Sequence, residues 1–241
     1  MKGFVVGVSG GVDSALTSTL CALTRKPLIC VNMPILQHKD QYRLANEHME
    51  WLKNKFSNVS SHDVNLTNAF LKLQDSLPKE IRDAHSMANT RSRLRMVTLY
   101  AFSAHHRMLV AGTGNKVEDF GVGFYTKYGD GGVDLNPIAD LMKSEVRALA
   151  QELGVSSSII KAAPVDGLWA DNRTDEQQIG ATYEELEWAM KQLSSKSKVP
   201  SSRLNNRQKK ILEIFQHFNK MNAHKMKPIP VCIIPKKLKR D

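Results

Sequence analysis

Cysteine is scarce in this chain: three residues in 241 (Cys21, Cys30 and Cys232), odd in number and without a Cys-x-x-Cys spacing. A disulfide framework is not expected, and the three read as reduced thiols of a cytoplasmic protein. No apolar run approaches the roughly 20 residues of a membrane span, so no membrane partner is expected. Met1-Lys2 precedes a short apolar run, but Gly10, Gly11 and Asp13 interrupt it too early for a signal peptide. Two nucleotide signatures are missing as well: the Gly-Lys-Ser/Thr ending of a Walker A loop and the Gly-x-Gly-x-x-Gly dinucleotide fingerprint. Acidic residues are nearly absent from one end, where 191–241 hold 14 Lys/Arg against 2 Asp/Glu, leaving 20 against 22 in 1–190. That basic end has three readings. It is a solvated face ending in a loose tail (Pro235, Lys236, Lys237, Lys239, Arg240), a nucleic-acid surface, or an attractor for a polyanionic nucleotide. No RNA- or DNA-binding motif accompanies it, so a nucleic-acid partner is not expected. A chain of 241 residues with 41% hydrophobic and 24% charged residues suits one domain with a sizeable core, with about 221–241 as a basic tail.

What is present starts at the first strand. The apolar run Phe4-Val5-Val6 leads straight into Gly7-Val8-Ser9-Gly10-Gly11-Val12-Asp13-Ser14, and residues 15–23 can continue as a helix. A Gly/Ser turn between strand and helix presents backbone N–H groups to an anion at the positive end of the helix dipole. Gly10 and Gly11 let the backbone approach a phosphate without a Cβ in the way, and Ser9 and Ser14 add hydroxyl donors. Asp13 has no place in a bare phosphate cradle. It fits if a Mg²⁺ lies between it and the phosphate oxygens, since that ion takes one or two carboxylates plus phosphates. The segment resembles the Ser-Gly-Gly-x-Asp-Ser pyrophosphate loop of the ATP pyrophosphatases, which split ATP into AMP and pyrophosphate.

Strand-like runs recur at 4–8, 28–33, 108–112 and, more weakly, 60–64, with helical patterns between them. In 42–56, Leu44, His48, Trp51, Leu52 and Lys55 fall at helical spacing, so Trp51 reads as core; in 88–106, Met96, Leu99, Tyr100 and Ser103 share a stripe. The alternation predicts an α/β fold, a doubly wound parallel sheet flanked by helices, with its ligand site at the carboxyl ends of the strands. Residues 112–140 lack any periodicity. A loop of that length in a compact domain is usually functional. Beyond it, 142–153 reads as a helix ended by Gly154, and Thr182-x-x-Glu185 is a capping box opening a helix to Gln192. The Ser/Lys stretch 194–202 reads as a linker before a last helix ending near Lys220.

Gly112-Thr113-Gly114-Asn115-Lys116-Val117-Glu118-Asp119 follows the fourth strand and so shares a rim with the first loop. Taken singly, Glu118 would be a surface carboxylate; facing a phosphate loop it becomes a second metal ligand. Gly123-Phe124-Tyr125-Thr126-Lys127-Tyr128-Gly129-Asp130-Gly131-Gly132-Val133-Asp134 and the 136–146 run NPIADLMKSEV come next. Together with Asn89-Thr90-Arg91-Ser92-Arg93-Leu94-Arg95-Met96, Gly167-Leu168-Trp169, Thr174-Asp175-Glu176, Ile179-Gly180-Ala181-Thr182-Tyr183 and His224-Lys225, these motifs resemble the ammonia-dependent NAD synthetases over essentially the whole chain.

That resemblance implies the adenine nucleotide alpha hydrolase-like fold and a carbon–nitrogen ligase. ATP would convert the nicotinate carboxylate of deamido-NAD to an acyl adenylate, and ammonia would displace AMP to give NAD. It implies an ATP site of Gly7, Val8, Ser9, Gly10, Gly11, Val12, Asp13, Ser14, Thr113 and Lys143, with Gln37 a weaker candidate. Asp13 and Lys143 would be catalytic, and Mg²⁺ would be held by Asp13 and Glu118. Deamido-NAD would meet Arg93, Lys127, Asp134, His224 and Lys225, and the enzyme would be a homodimer. Arg91 and Arg95 read equally as structural ion pairs, and His224-Lys225, without the resemblance, as more basic tail. Three departures stand out. Val165 follows Pro164 where relatives often carry a hydroxyl, leaving Asp166 as the polar replacement. The Glu118-to-Lys127 spacing is one residue longer than in many relatives. The helix that usually precedes the first strand is not in this sequence. Another adenylating pyrophosphatase, such as a GMP synthetase module or a tRNA-modifying enzyme, shares the first loop; residues 112–134 separate it. A glutaminase would need a domain of its own with a nucleophilic cysteine, so free ammonia is the expected nitrogen donor.

Overall fold

The computed structural model describes residues 1–164, 174–195 and 199–239. Strands β1 (Phe4–Gly7), β2 (Leu28–Asn32), β3 (Val59–Asp63) and β4 (Leu109–Val110) form a parallel sheet in the order β3-β2-β1-β4. All four expected strands are present, though the fourth is only two residues long. A parallel bridge between Ala111 and Leu135 extends the sheet beyond it. The weak third run is the edge strand, and its exposed Ser60, His62 and Asp63 explain why it looked polar. β2 is buried along its whole length, as a central parallel strand covered on both faces must be.

Successive strand residues face opposite ways, so the sheet divides the core in two. Val5, Ile29, Val31 and Val110 pack on one side with Phe70, Met87, Met96 and Leu99 from α3 (Thr67–Ser76) and α4 (Ala84–His106). Val6, Leu28 and Cys30 pack on the other with Cys21, Ala22, Ala45, Met49 and Leu52 from α1 (Val12–Leu23) and α2 (Lys39–Lys55). On the predicted α2 stripe, Leu44, His48 and Leu52 are buried, Trp51 is half-buried, and Lys55 is exposed with its ammonium over the Trp51 ring. Tyr100 lies at the rim of the α4 stripe rather than in the core, and its hydroxyl donates to Asp134 Oδ1 at 3.1 Å.

Strand order reverses between β1 and β4, because both connect outward from the middle of the sheet. At that switch point the loops after the two strands diverge and leave a crevice at their carboxyl ends. α5 (Lys143–Glu152) closes one side of it, packing Val146 and Ala150 with Val12, Ala15 and Leu16 of α1. After the short helices α6 (Ser157–Ile160) and α7 (Asp175–Ile179), α8 (Tyr183–Ser194) and α9 (Asn206–Met221) form a further cluster around Tyr183, Leu186, Ile211 and Phe215. The Thr182/Glu185 capping box is present, with Glu185 N–H donating to Thr182 Oγ1 and Thr182 N–H to Glu185 Oε2. Of the 194–202 stretch, 196–198 lie outside the described residues, and Ser201–Arg203 is a short 3₁₀ turn.

Residues 112–140 contain an element that periodicity did not show. Lys116–Val122 winds as a π-helix, capped by Asn115, whose side-chain oxygen accepts the Glu118 N–H at 3.1 Å. Its wider turn breaks the 3.6-residue repeat that a sequence reading relies on, and single π turns often mark functional sites. It ends at Gly123, with φ +64°, where a Cβ would approach the Asn222 side chain to 2.5 Å.

Behind α1, His48 is buried, with Nε2 2.9 Å from Ser18 Oγ and its ring stacked on Trp51. Burial pushes its pKa down from 6.5 to about 4. The unfolded chain therefore binds a proton that the folded chain refuses between those values, and stability falls as pH drops from about 6.5 to about 4. The expected loss is on the order of 3 kcal/mol. Urea unfolding across this pH range checks it: the fall should be shallower in His48→Gln than in the wild type.

Candidate active site

The first loop leaves β1 at Gly7 and enters α1 at its N-cap, Gly11. Gly10 has φ +88°, and a Cβ there would lie 2.6 Å from the Gln41 carbonyl oxygen, so both conformation and space call for glycine. The two serines close the loop on itself. Ser9 N–H donates to Ser14 Oγ at 3.2 Å, Gly11 N–H to Ser9 Oγ at 3.3 Å, and Ser14 Oγ to the Gly11 carbonyl at 2.9 Å. The hydroxyls expected to bind phosphate thus also hold the loop in shape, and the first-turn N–H groups of α1 have no partner within the helix. A cleft of about 270 Å³ opens over this turn.

All of the predicted ATP residues line that cleft: Gly7, Val8, Ser9, Gly10, Gly11, Val12, Asp13, Ser14, Gln37, Thr113 and Lys143. Gln37 is held on both sides of its amide, accepting from Arg95 Nη2 at 2.9 Å and donating to Gln41 Oε1 at 2.8 Å. Arg95 also donates from Nε to the Met33 carbonyl at 3.0 Å, and the Arg91 guanidinium lies 4.8 Å over the Phe70 ring.

At the cleft floor, Lys143 Nζ donates to Asp13 Oδ2 at 2.5 Å and stands 3.4 Å from Glu118 Oε2. Asn115, fully buried, donates from Nδ2 to Asp13 Oδ1 at 3.1 Å and to Glu118 Oε2 at 2.6 Å. The Lys143 ammonium also lies 4.6 Å over the ring of Tyr183, whose hydroxyl donates to Asp175 Oδ2 at 3.0 Å. Burial alone would lower the Lys143 pKa, but Asp13 and Glu118 outweigh it and hold the ammonium above the usual lysine range. Lys143 therefore stays an ammonium, offset by two carboxylates, near the N-terminus of α1. Asn115, Asp175 and Tyr183 were not singled out as site residues, although all three lie inside the quoted motifs; nothing about their chemistry alone marked them.

Asp13 and Glu118 share two donors, so their oxygens converge on one position. Two carboxylates supplemented by phosphate oxygens and water form the donor set Mg²⁺ takes, and the residues present fit it. Among the described residues no group of three His, Cys, Asp or Glu side chains could hold a metal without such help.

The predicted dinucleotide residues lie outside the cleft lining and divide into two places. Arg93 Nε donates to the Lys127 carbonyl at 3.2 Å, and Lys127 Nζ to the His224 carbonyl at 2.7 Å. Lys225 Nζ donates to the Gly123 and Tyr125 carbonyls at 2.9 and 2.7 Å. These four therefore form one basic cluster tying the aromatic loop to the segment after α9, and Lys225 is anchored rather than part of a loose tail. Asp134 is elsewhere, its Oδ2 accepting the Val110 N–H at 2.8 Å beside β4. Val165, Asp166 and Gly167-Leu168-Trp169 lie outside the described residues.

Known proteins are similar to this chain in sequence and in fold. The family described as NAD synthase matches residues 1–229. The NH(3)-dependent NAD(+) synthetase of Mesoplasma florum is 37% identical over 189 residues, covering 77% of this chain and 75% of its own. The solved NMN synthetase of Francisella tularensis superimposes with a TM-score of 0.80 at 30% identity, over 98% of this chain and 90% of its own. The NH3-dependent NAD synthetase of Campylobacter jejuni does so at 0.76 and 27%, over 96% and 90%.

Lys143→Met tests the floor of the cleft. It leaves two carboxylates facing each other with only Asn115 between them, and breaking a buried pair from one side costs about 3–5 kcal/mol. Asp13 and Glu118 keep 18% and 19% side-chain exposure, which puts the expected loss at the lower end. Urea unfolding measures it, and adding Glu118→Gln should recover part of the stability.

Proposed function

The chain belongs to the NAD synthase family, and from that premise we propose that it uses ATP to amidate deamido-NAD with ammonia, giving NAD, AMP and pyrophosphate. The observation that carries this reading is the convergence of Asp13, Glu118 and Lys143 at the N-terminus of α1, inside a cleft lined by the whole 7–14 loop.

A carboxylate is a poor acyl donor, because its oxygen leaves badly. The proposed first step makes that oxygen part of a phosphate ester: the nicotinate carboxylate attacks the α-phosphorus, and pyrophosphate departs. Negative charge then gathers on the α-phosphate and the departing group. The first-turn N–H groups of α1, its dipole and the Lys143 ammonium at the cleft floor would face that place, so little reorganisation would accompany the step. Asp13 and Glu118 would hold Mg²⁺, which supplies Lewis-acid neutralisation of the phosphate charge when bound. The second step, attack of ammonia on the acyl carbon, competes with water, and enclosure of the cleft favours ammonia. Arg93, Lys127, His224 and Lys225, one cluster beside the cleft, suit the diphosphate and distal half of deamido-NAD, with Asp134 a separate contact. A homodimer is supported by apolar side chains left exposed on α3 and α4 (Leu71, Leu73 and Val97). A cytoplasmic setting is supported by three unpaired cysteines, and no helix among the described residues is long and apolar enough to cross a membrane.

Incubating the purified chain with MgATP, deamido-NAD and ammonium chloride should yield NAD and AMP in equal amounts. Glutamine alone should yield none with this chain, residues 1–229 of which are taken up by the NAD synthase match. The reading fails if deamido-NAD does not support pyrophosphate release.

Division of the two sites is tested by lysine removal. Lys127→Ala should raise KM for deamido-NAD while leaving that for ATP nearly unchanged, losing about 1.5–3 kcal/mol of charge-assisted binding. Equal effects on both substrates would show that the boundary is drawn in the wrong place.

A further inference from the structure

A buried carboxylate on α8 is committed to the start of another helix. Both oxygens of Glu187 are taken by one residue: Ser144 N–H donates to Oε1 at 2.8 Å and Ser144 Oγ to Oε2 at 2.7 Å. Ser144 directly follows Lys143 in the first turn of α5. The N-cap of that helix is Met142, whose thioether is a poor acceptor for the N–H groups a helix start leaves over. Glu145 turns back to accept the Met142 N–H at 2.7 Å, which is one half of a capping box. The other half, an acceptor for a first-turn N–H, comes from Glu187, 43 positions away.

A cap from within α5 would satisfy only the end of that helix. A cap from α8 also fixes where α5 begins relative to α8, and α8 carries Tyr183 one turn before Glu187, on the same face. The Lys143 ammonium lies 4.6 Å over the Tyr183 ring. Glu187 thus holds the backbone beside Lys143, Tyr183 backs its charged end, and Val146 and Ala150 keep the rest of α5 on α1. Without the Glu187 carboxylate α5 stays packed but its first turn is released, and Nζ, at the end of a four-carbon chain, moves furthest.

We propose that Glu187 is a positioning residue for the ATP phosphates: through Ser144 it sets where the Lys143 ammonium stands in the cleft. It touches no substrate itself. The assignment rests on the functional reading above, in which Lys143 faces the phosphates, and it adds a residue of α8 to what prepares the first step.

Calorimetric titration of the purified chain with MgATP reads this without turnover. Glu187→Ala should weaken MgATP binding about tenfold, the lower end of what a charge-assisted contact contributes, and leave KM for deamido-NAD unchanged. Glu187→Gln keeps an acceptor for the Ser144 N–H and offers a donor to its hydroxyl, so it should bind MgATP like the wild type. Ser144→Ala, which removes one of the two bonds, should shift MgATP affinity in the same direction as Glu187→Ala, by less. Partial unfolding lowers the number of binding sites rather than the affinity of those that remain, so a weaker Kd separates positioning from loss of fold. In a Lys143→Met background, Glu187→Ala should weaken MgATP no further, because its effect runs through the lysine. Unchanged MgATP affinity in Glu187→Ala, or in Ser144→Ala where Glu187→Ala does not fold, would overturn the assignment. So would a full additional loss in the Lys143→Met background, or a loss in Glu187→Gln equal to that in Glu187→Ala. Failure of the wild type to release pyrophosphate from MgATP and deamido-NAD would instead overturn the functional reading, while the titrations would still decide the role of Glu187.

Discussion

The structure depends on one buried cation. Lys143 Nζ binds Asp13 from α1 and reaches Glu118 from the π-helix, and the fully buried Asn115 bridges the same two carboxylates. Asp13 and Lys143 lie on α1 and α5, which pack in one cluster, and Glu118 lies on the π-helix, which packs with α8 and α9, so this polar knot joins the two clusters. An ion pair in such a place contributes little net stability, since desolvation offsets most of its attraction. Its consequence is geometric. Two carboxylates that would repel each other are held on one point, at the N-terminus of a helix, before any nucleotide arrives.

That arrangement also explains the division of labour over the surface. Everything directed at phosphate chemistry sits at the switch point between β1 and β4, where the backbone itself supplies donors. The basic groups proposed for the second substrate lie beyond it, where Arg93, Lys127 and Lys225 are pinned by carbonyls of distant segments. Long cationic side chains held this way lose less freedom on binding an anion than free ones would. The cost is that the cluster exists only when α4, the aromatic loop and the segment after α9 are all docked.

Much of this was readable in the residues. Strand and helix order followed from apolar periodicity, and β1, β2 and the α2 stripe lie where spacing put them. Gly10 was marked by its place in a strand–turn–helix loop, and its positive φ and closeness to Gln41 give the physical reason. The π-helix was not readable, because its wider turn erases the repeat that periodicity detects. Nor was the role of Tyr183 under Lys143: an aromatic residue opening an amphipathic helix looks like core, and here it is both core and a face for a cation. The neighbourhood of Asp134 was not readable either: it shares a loop with Lys127, yet its carboxylate accepts the Val110 N–H.

The sequence by itself determined the alternation of strands and helices, the Gly/Ser turn at the head of α1 and the list of charged residues available for chemistry, because these follow from local spacing, turn conformation and side-chain type. Only the tertiary structure decided which of those charges meet. Lys143 stands 130 positions from Asp13, and Lys127 97 from His224; no periodicity links residues so far apart. Their partners were chosen by the packing of helices on the sheet, which gave the buried Lys143 two carboxylates and the half-buried Lys127 a backbone carbonyl.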